Sequence, residues 1–248
     1  MALKKFISNI ICGCIPNKRI RHRIRMRLTF DIKPYIEFAK RDSGIARPRV
    51  RTYQGHGGMK KIIVVISDKI AYKFPLVDAR AGSPAREKLY ADAFRKYSPI
   101  KLPDMELLSF NGRDVLKYEF IRGKTVQDTP RKILRQHSDK IAKDLAEFIF
   151  ALGNCNPAAL RPYIPAGETP GYMRGWYHGD IGGNFIINQS TGEIAAFLDW
   201  ESAEFCDWTG DIMGAFRFMN NRGAGNIMLK TIIVYSRLYN DYIKNKTK

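Results

Sequence analysis

Cysteine is scarce in this sequence: Cys12, Cys14, Cys155 and Cys206 are the only four in 248 residues. They are too few and too scattered for a disulfide framework in a chain of this size, so a reducing cytosol is the expected compartment. Cys12 and Cys14 with His22 have no second ligand pair nearby, which argues against a zinc site. Long apolar runs are missing too. No segment reaches the ~18 to 20 apolar residues that a membrane-spanning helix needs. Lys4, Lys5 and the apolar run from Phe6 to Pro16 have the look of a secretory signal, but Ser8 and Asn9 interrupt it and export is not expected. Internal repeats and low-complexity segments are absent.

Acidic residues are in short supply as well, with 24 Asp and Glu against 42 Lys and Arg and a formal net charge of +18. The imbalance is local. Residues 1–61 carry 16 basic residues against only Asp31, Glu37 and Asp42, whereas residues 62–248 carry 26 against 21. The basic character therefore belongs mainly to an N-terminal appendage, expected to span residues 1–45. Within it, residues 4–28 mix Phe6, Ile7, Ile10 and Ile11 with Lys18, Arg19, Arg21, Arg23, Arg25 and Arg27. Three readings stay open: an anionic membrane surface, which is preferred, ordinary packing against the rest of the chain, and a nucleic-acid-contacting arm.

What is present is enough for a folded molecule. Apolar residues make up 45% of the chain, sufficient to bury a substantial core over one domain or two small lobes. From Val50 the pattern predicts antiparallel strands at Val50 to Gln54, Lys60 to Ser67 and Ile70 to Leu76, with a loop at Gly55-His56-Gly57-Gly58 and a turn at Asp68-Lys69. A helix is predicted over Pro84 to Tyr97. Two strands follow, Met105 to Phe110 and Asp114 to Phe120, around the turn Asn111-Gly112. Ile121 to Pro130 reads as a connector and Arg131 to Leu152 as one long amphipathic helix. After the Pro- and Gly-punctuated stretch Pro157 to Gly171, short strands are predicted near Phe185 to Asn188 and Ile194 to Leu198. Helices close the chain at Asp211 to Asn220 and Asn226 to Lys244. The order is α+β, a sheet-rich part at 46–120 and a larger helical part at 121–248.

The chemistry concentrates between Tyr177 and Glu201. His178-Gly179-Asp180 is followed by Asn184, then by a strand pair, then by Asp199-Trp200-Glu201. Phosphoryl transfer from ATP needs a carboxylate near the attacking hydroxyl and oxygen ligands on Mg²⁺, because its transition state is stabilised by positioning and charge neutralisation. A loop with one carboxylate and one amide, joined by a hairpin to a second carboxylate, supplies those groups in one place.

These residues resemble the aminoglycoside phosphotransferase and choline kinase branch of the protein-kinase-like superfamily. There the catalytic loop reads His-Gly-Asp, and the later metal-binding Asp is followed by an aromatic residue and often Glu. The resemblance covers roughly residues 50–245 and implies a two-lobed fold, a small antiparallel-sheet N-lobe and a larger, mainly helical C-lobe. It implies that Asp180 orients or deprotonates the acceptor hydroxyl and that Asn184 and Asp199 hold Mg²⁺. It further implies that Lys73, on the third strand, contacts the ATP phosphates with Glu87 as its ion-pair partner. Gly55, Gly57 and Gly58 would let the backbone approach phosphate oxygens. Glu119, Phe120 and Ile121 correspond to the connector whose backbone holds the adenine edge. Asp207 and Asp211 match the following pair of aspartates, with Asp211 bracing the catalytic loop. His178 is expected to hydrogen-bond within the loop rather than act as a base.

The function implied is transfer of the γ-phosphoryl group of ATP to a hydroxyl of a small molecule or glycan. The basic N-terminus suggests a membrane-held polysaccharide or lipopolysaccharide sugar as acceptor, and a cytoplasmic enzyme peripheral at the inner membrane face. Nucleic acid is not expected as a partner. Protein kinase activity is disfavoured, because only about ten residues separate Asp199 from the helix at Asp211, too few for a peptide-binding segment. One departure stands out. The family places five residues' separation between Asp and Asn, and here it is four. Either Gly182 and Gly183 let the shorter loop reach the same metal, or the chain is a nucleotide-binding pseudokinase that acts as a scaffold at the membrane.

Overall fold

A computed structural model describes residues 30–54, 61–76, 83–171, 174–207 and 209–246. The basic segment 4–28 and the loop carrying Gly55, His56, Gly57 and Gly58 lie outside the described residues. The chain divides into two compact units, Met1–Ala79 with Glu106–Phe120, and Arg80–Met105 with Ile121–Lys248.

The first unit is a five-stranded sheet in the order β1-β2-β3-β5-β4, with β1 at Val50–Gln54, β2 at Lys61–Ile66, β3 at Ile70–Pro75, β4 at Met105–Phe110 and β5 at Arg113–Glu119. Neighbours are antiparallel along β1, β2, β3 and β5. Both sharp reversals use left-handed residues, Ser67 and Asp68 in one and Asn111 and Gly112 in the other, which twist the chain in the sense that a hairpin requires. Arg51 forms an ion pair with Asp68 beside the first turn.

Strand alternation then decides which side chains share a face. Ile62, Val64, Ile66, Tyr72 and Phe74 point to one side and are buried there with Ala39 and Val115. What covers them is a helix that the sequence pattern did not announce, α1 at Lys33–Ser43, inside the segment expected as an appendage. Its Phe38 ring lies 4.9 Å from that of Phe110, and Tyr35 lies 5.2 Å from Phe74. On the same face, Asp42 of α1 accepts a hydrogen bond from the Tyr72 hydroxyl at 2.8 Å and pairs with Lys117 at 2.9 Å. Lys73 sits one residue out of phase, so it points to the opposite face, in register with Ile63 and Leu116.

The second unit is built on helices. α2 (Pro84–Phe94) starts at Ser83, whose hydroxyl accepts a hydrogen bond from the Arg86 N–H at 3.1 Å, an N-cap that satisfies one of the helix's unpaired donors. It buries Glu87, Tyr90, Ala91 and Phe94. In place of one long helix there are two, α3 (Arg131–Gln136) and α4 (Ser138–Asn154). The break falls at His137, with φ −106° and ψ 20°. There the turn at Gly192 passes so close that a Cβ on it would lie 2.3 Å from the His137 Cβ, so tertiary packing overrides the helical periodicity. α4 carries Ile141, Leu145, Phe148, Ile149 and Leu152 into the core, and Phe148 stacks on Phe197 with centroids 3.7 Å apart.

Around α4 lie short strands. β6 (Lys124–Thr125), inside the expected connector, pairs with β8 (Phe185–Ile187), which pairs with β9 (Ile194–Phe197). β7 (Gly175–Tyr177) pairs with β10 (Glu204–Cys206). α5 (Thr209–Asn221) and α6 (Gly225–Lys246) complete the chain. No helix among the described residues is long and apolar enough to cross a membrane.

Candidate active site

The loop after β7 is fixed from beneath by a buried carboxylate. Asp211, in the first turn of α5 and only 2% exposed, accepts hydrogen bonds from the backbone N–H of His178 at 2.5 Å and of Gly179 at 2.9 Å. Burial pushes its carboxyl up from 3.8 to about 7, the two amide donors pull it down, and the charge of Asp180 adds to the rise. The bracing role expected of Asp211 corresponds to these two bonds.

His178 is fully buried. Its Nε2 lies 2.9 Å from the Leu198 carbonyl oxygen, and its Nδ1 accepts the Asp180 N–H at 3.3 Å. A carbonyl only accepts, so Nε2 carries the proton and the ring is held as one neutral tautomer. Nδ1 is thereby engaged within the loop, and Nε2 ties the loop to Leu198 beyond it. Gly179 between them has φ +81°, and a Cβ there would lie 2.2 Å from the Ser202 carbonyl oxygen.

The side chain of Asp180 is exposed and meets Asn184. The Asn184 Nδ2 donates to the Asp180 carbonyl oxygen at 2.8 Å and to its carboxylate Oδ2, also at 2.8 Å. The four-residue separation therefore turns the amide nitrogen toward Asp180 and leaves the amide oxygen for another partner. Gly182 and Gly183 make the short loop possible by close approach: a Cβ on Gly182 would lie 2.8 Å from Cβ of Phe218 on α5, and one on Gly183 3.3 Å from Nε2 of Gln127. Phe218 and Gln127 were not singled out in the sequence. The Gly-Gly pair signals that something packs closely, but not what.

Asp199 enters through residue 198. The Leu198 N–H donates to the Asn184 carbonyl oxygen at 2.8 Å, extending the register of Phe185 with Phe197, while its carbonyl accepts from His178. One residue is thus bonded to both ends of the loop, and Asp199 follows directly. Asp199 takes a left-handed conformation, φ 62° and ψ 55°, ahead of a 3₁₀ turn at Trp200–Ser202. That conformation costs a non-glycine residue about 1 kcal/mol, and the surroundings hold it: Trp200 is fully buried, its ring 4.7 Å from His178 and 5.4 Å from Phe94.

Lys73 (5% exposed) and Glu87 (2% exposed) are both buried charges, one in each unit. The chain passes from one unit to the other at three places, one of them between Phe120 and Ile121, where the Phe120 N–H donates to the Lys69 carbonyl at 2.8 Å and Glu119 is exposed. Gly55, Gly57 and Gly58 are not among the described residues. Nor do the described residues bring together three or more His, Cys, Asp or Glu that would cage a metal.

An antiparallel five-stranded sheet followed by a helical part is a fold that this chain shares with solved phosphotransferase structures. In particular, it is similar to the GDP and kanamycin complex of the aminoglycoside phosphotransferase APH(2'')-IIia, with a TM-score of 0.61 and 11% identity over 83% of each chain. It is also similar to APH(2'')-IIa in a ternary complex with streptomycin and ATP, at 0.57 and 13% over 84% of each chain. A third similar structure is the macrolide 2'-phosphotransferase MphH from Brachybacterium faecium, at 0.54 and 14% over 84% of this chain and 82% of that one. No family model matches the sequence, and no curated protein matches it. At these identities the likeness establishes the fold.

Proposed function

We propose that the protein transfers the γ-phosphoryl group of ATP to a hydroxyl of a small molecule or glycan. The observation that carries this reading is the hydrogen-bonded pair Asp180 and Asn184, an exposed carboxylate held by an amide, with Asp199 in a strained backbone conformation one residue after the strap that ties the loop together. Strain of that kind persists where position is worth its cost.

In this reading Asp180 orients the acceptor hydroxyl and takes its proton. Asn184, through its free oxygen, and Asp199 are the residues that would hold Mg²⁺. The donor set fits that ion, which is bound by one or two protein groups with nucleotide phosphates and water rather than by an all-protein cage. When bound, the ion neutralises charge on the phosphates. Lys73, on the sheet face turned away from α1, would meet the phosphates, and Glu87 would steady it. Gly55, Gly57 and Gly58 would cover them, and the backbone at Glu119, Phe120 and Ile121 would hold the adenine edge.

ATP and GTP turnover, measured with a panel of neutral and acidic sugars, lipid-linked glycans, choline and aminoglycosides, tests the reading. At least one acceptor should yield a phosphorylated product, and none doing so with a folded protein would refute it. Asp180→Asn should lower turnover about 10²- to 10⁴-fold while Mg²⁺-nucleotide binding persists. The contact of Asn184 with the Asp180 carboxylate favours one rival, a nucleotide-binding pseudokinase scaffold. That rival predicts nucleotide affinity indifferent to Mg²⁺ and no ADP release. Binding to anionic vesicles, compared with and without residues 1–29, tests the membrane-surface role proposed for the N-terminus.

A further inference from the structure

The corner joining α5 to α6 holds two arginines close to the backbone. Arg222 donates from Nη2 to the Thr129 carbonyl oxygen at 3.2 Å, and its Nε is buried with no hydrogen-bond partner. Arg131, two residues beyond Thr129, lays its guanidinium against the neighbouring Gly223: a Cβ on that glycine would lie 3.5 Å from Cζ and 3.6 Å from Nε and Nη1 of Arg131. Among the described residues no carboxylate pairs with either group. The segment 121–137 adds Arg122, Lys124, Lys132 and Arg135 against Asp128 alone, and Asp128 accepts the Thr125 hydroxyl at 2.9 Å.

Like charges held near one another repel, and ordering two long side chains costs conformational entropy. An arrangement of this kind is stabilised when an anion with several oxygens takes up the free N–H groups, which a guanidinium offers in a planar fork. The unpaired Nε of Arg222 is a buried donor of the sort that awaits such a partner.

The corner also has a defined place relative to the loop. Phe218, which packs against Gly182 and Gly183, lies one helical turn before Arg222, and Gln127, which packs against Gly183, lies two residues before Thr129. Both chain segments that carry the arginines therefore also carry a residue packed against the loop holding Asp180 and Asn184.

We propose that Arg131 and Arg222 form a binding site for an anionic group, carboxylate or phosphate, on the acceptor, so that the substrate is an acidic or phosphorylated sugar rather than an amine-bearing one such as kanamycin. The assignment of this anion to an acceptor rests on the phosphotransferase reading. The site itself is tested without turnover. The full chain, free of nucleotide and at fixed ionic strength, is titrated calorimetrically with inorganic phosphate, glucose 6-phosphate, glucuronate and, as a neutral control, glucose. Saturable binding of the phosphate or carboxylate sugar but not of glucose is expected. The Arg131→Ala/Arg222→Ala variant should lose about tenfold or more in affinity. Arg131→Gln, which leaves the Thr129 bond intact, guards against a double variant that does not fold and should weaken binding in the same direction.

Unchanged affinity in a folded variant overturns the site. So does the absence of saturable binding by the native protein, or binding confined to phosphatidylglycerol vesicles, which would point to a lipid surface. A parallel Mg²⁺-ATP titration separates the two hypotheses: nucleotide binding without anion binding removes only the corner, and anion binding without nucleotide binding removes the phosphotransferase reading.

Discussion

Gly179 has φ +81°, and the space its Cβ would need is taken by the Ser202 carbonyl oxygen. Two penalties add for any L side chain there, the left-handed backbone and a collision with main chain that has little freedom to retreat. Gly179→Ala is expected to cost about 2–4 kcal/mol of stability and to abolish the hydrogen bonds to Asp211. Urea denaturation with loss of turnover would show it, and an alanine variant as stable as the native protein would contradict this geometry. Its neighbours were legible in the sequence by type. Asp180, Asn184 and Asp199 stand out because phosphoryl transfer calls for such groups, and His178 through the resemblance of its His-Gly-Asp loop. That Asn184 would spend its amide nitrogen on the Asp180 carboxylate was not legible, because the loop's path depends on Phe218 and Gln127, distant in the chain.

Among the elements, α2 begins where local chemistry says it must. Ser83 followed by Pro84 is an N-cap and a first-turn proline, and the cap bond to Arg86 is present. Ser83→Ala should cost about 1 kcal/mol and Ser83→Asp almost nothing, read as a shift in the denaturation midpoint. Loosening this first turn also loosens Glu87, one turn from the cap. The hairpins were equally legible, since alternating apolar residues and an Asn-Gly turn carry their own register. β7 and β10 were not, because three-residue strands such as Gly-Trp-Tyr and Glu-Phe-Cys are too short to show a period. α1 was missed because its value lies in the aromatic contacts it makes with the sheet, not in its own pattern. The divided helix at His137 follows the same rule in reverse, a continuous helical pattern interrupted by a turn from elsewhere.

For the molecule as a whole, Asp211 ties folding to pH. Its folded-state pKa of about 7 lies above the 3.8 expected when unfolded, so the native state binds the extra proton between those values. Its contribution to stability is therefore fully present below about pH 4, falls as pH rises, and is lost above about pH 7. Asp211→Asn should flatten the stability profile across that window, and a slope identical to that of the native protein would show that another group sets it. The surrounding charge works the same way at larger scale. With +18 formal charges, self-repulsion and anion attraction both weaken with salt, so anion affinities at the α5–α6 corner should be compared at one ionic strength.

The sequence by itself determined the α+β order, the turns and the residue types of the loop at 178–184, because these follow from side-chain periodicity, backbone freedom and residue chemistry. Only the tertiary structure decided where the long helix breaks, which face of the sheet α1 covers, how a loop one residue short is closed against Phe218, and that two arginines share a corner. Those outcomes depend on contacts between residues far apart in the chain. Such contacts are set by packing and the satisfaction of buried polar groups, which leave no local pattern to read.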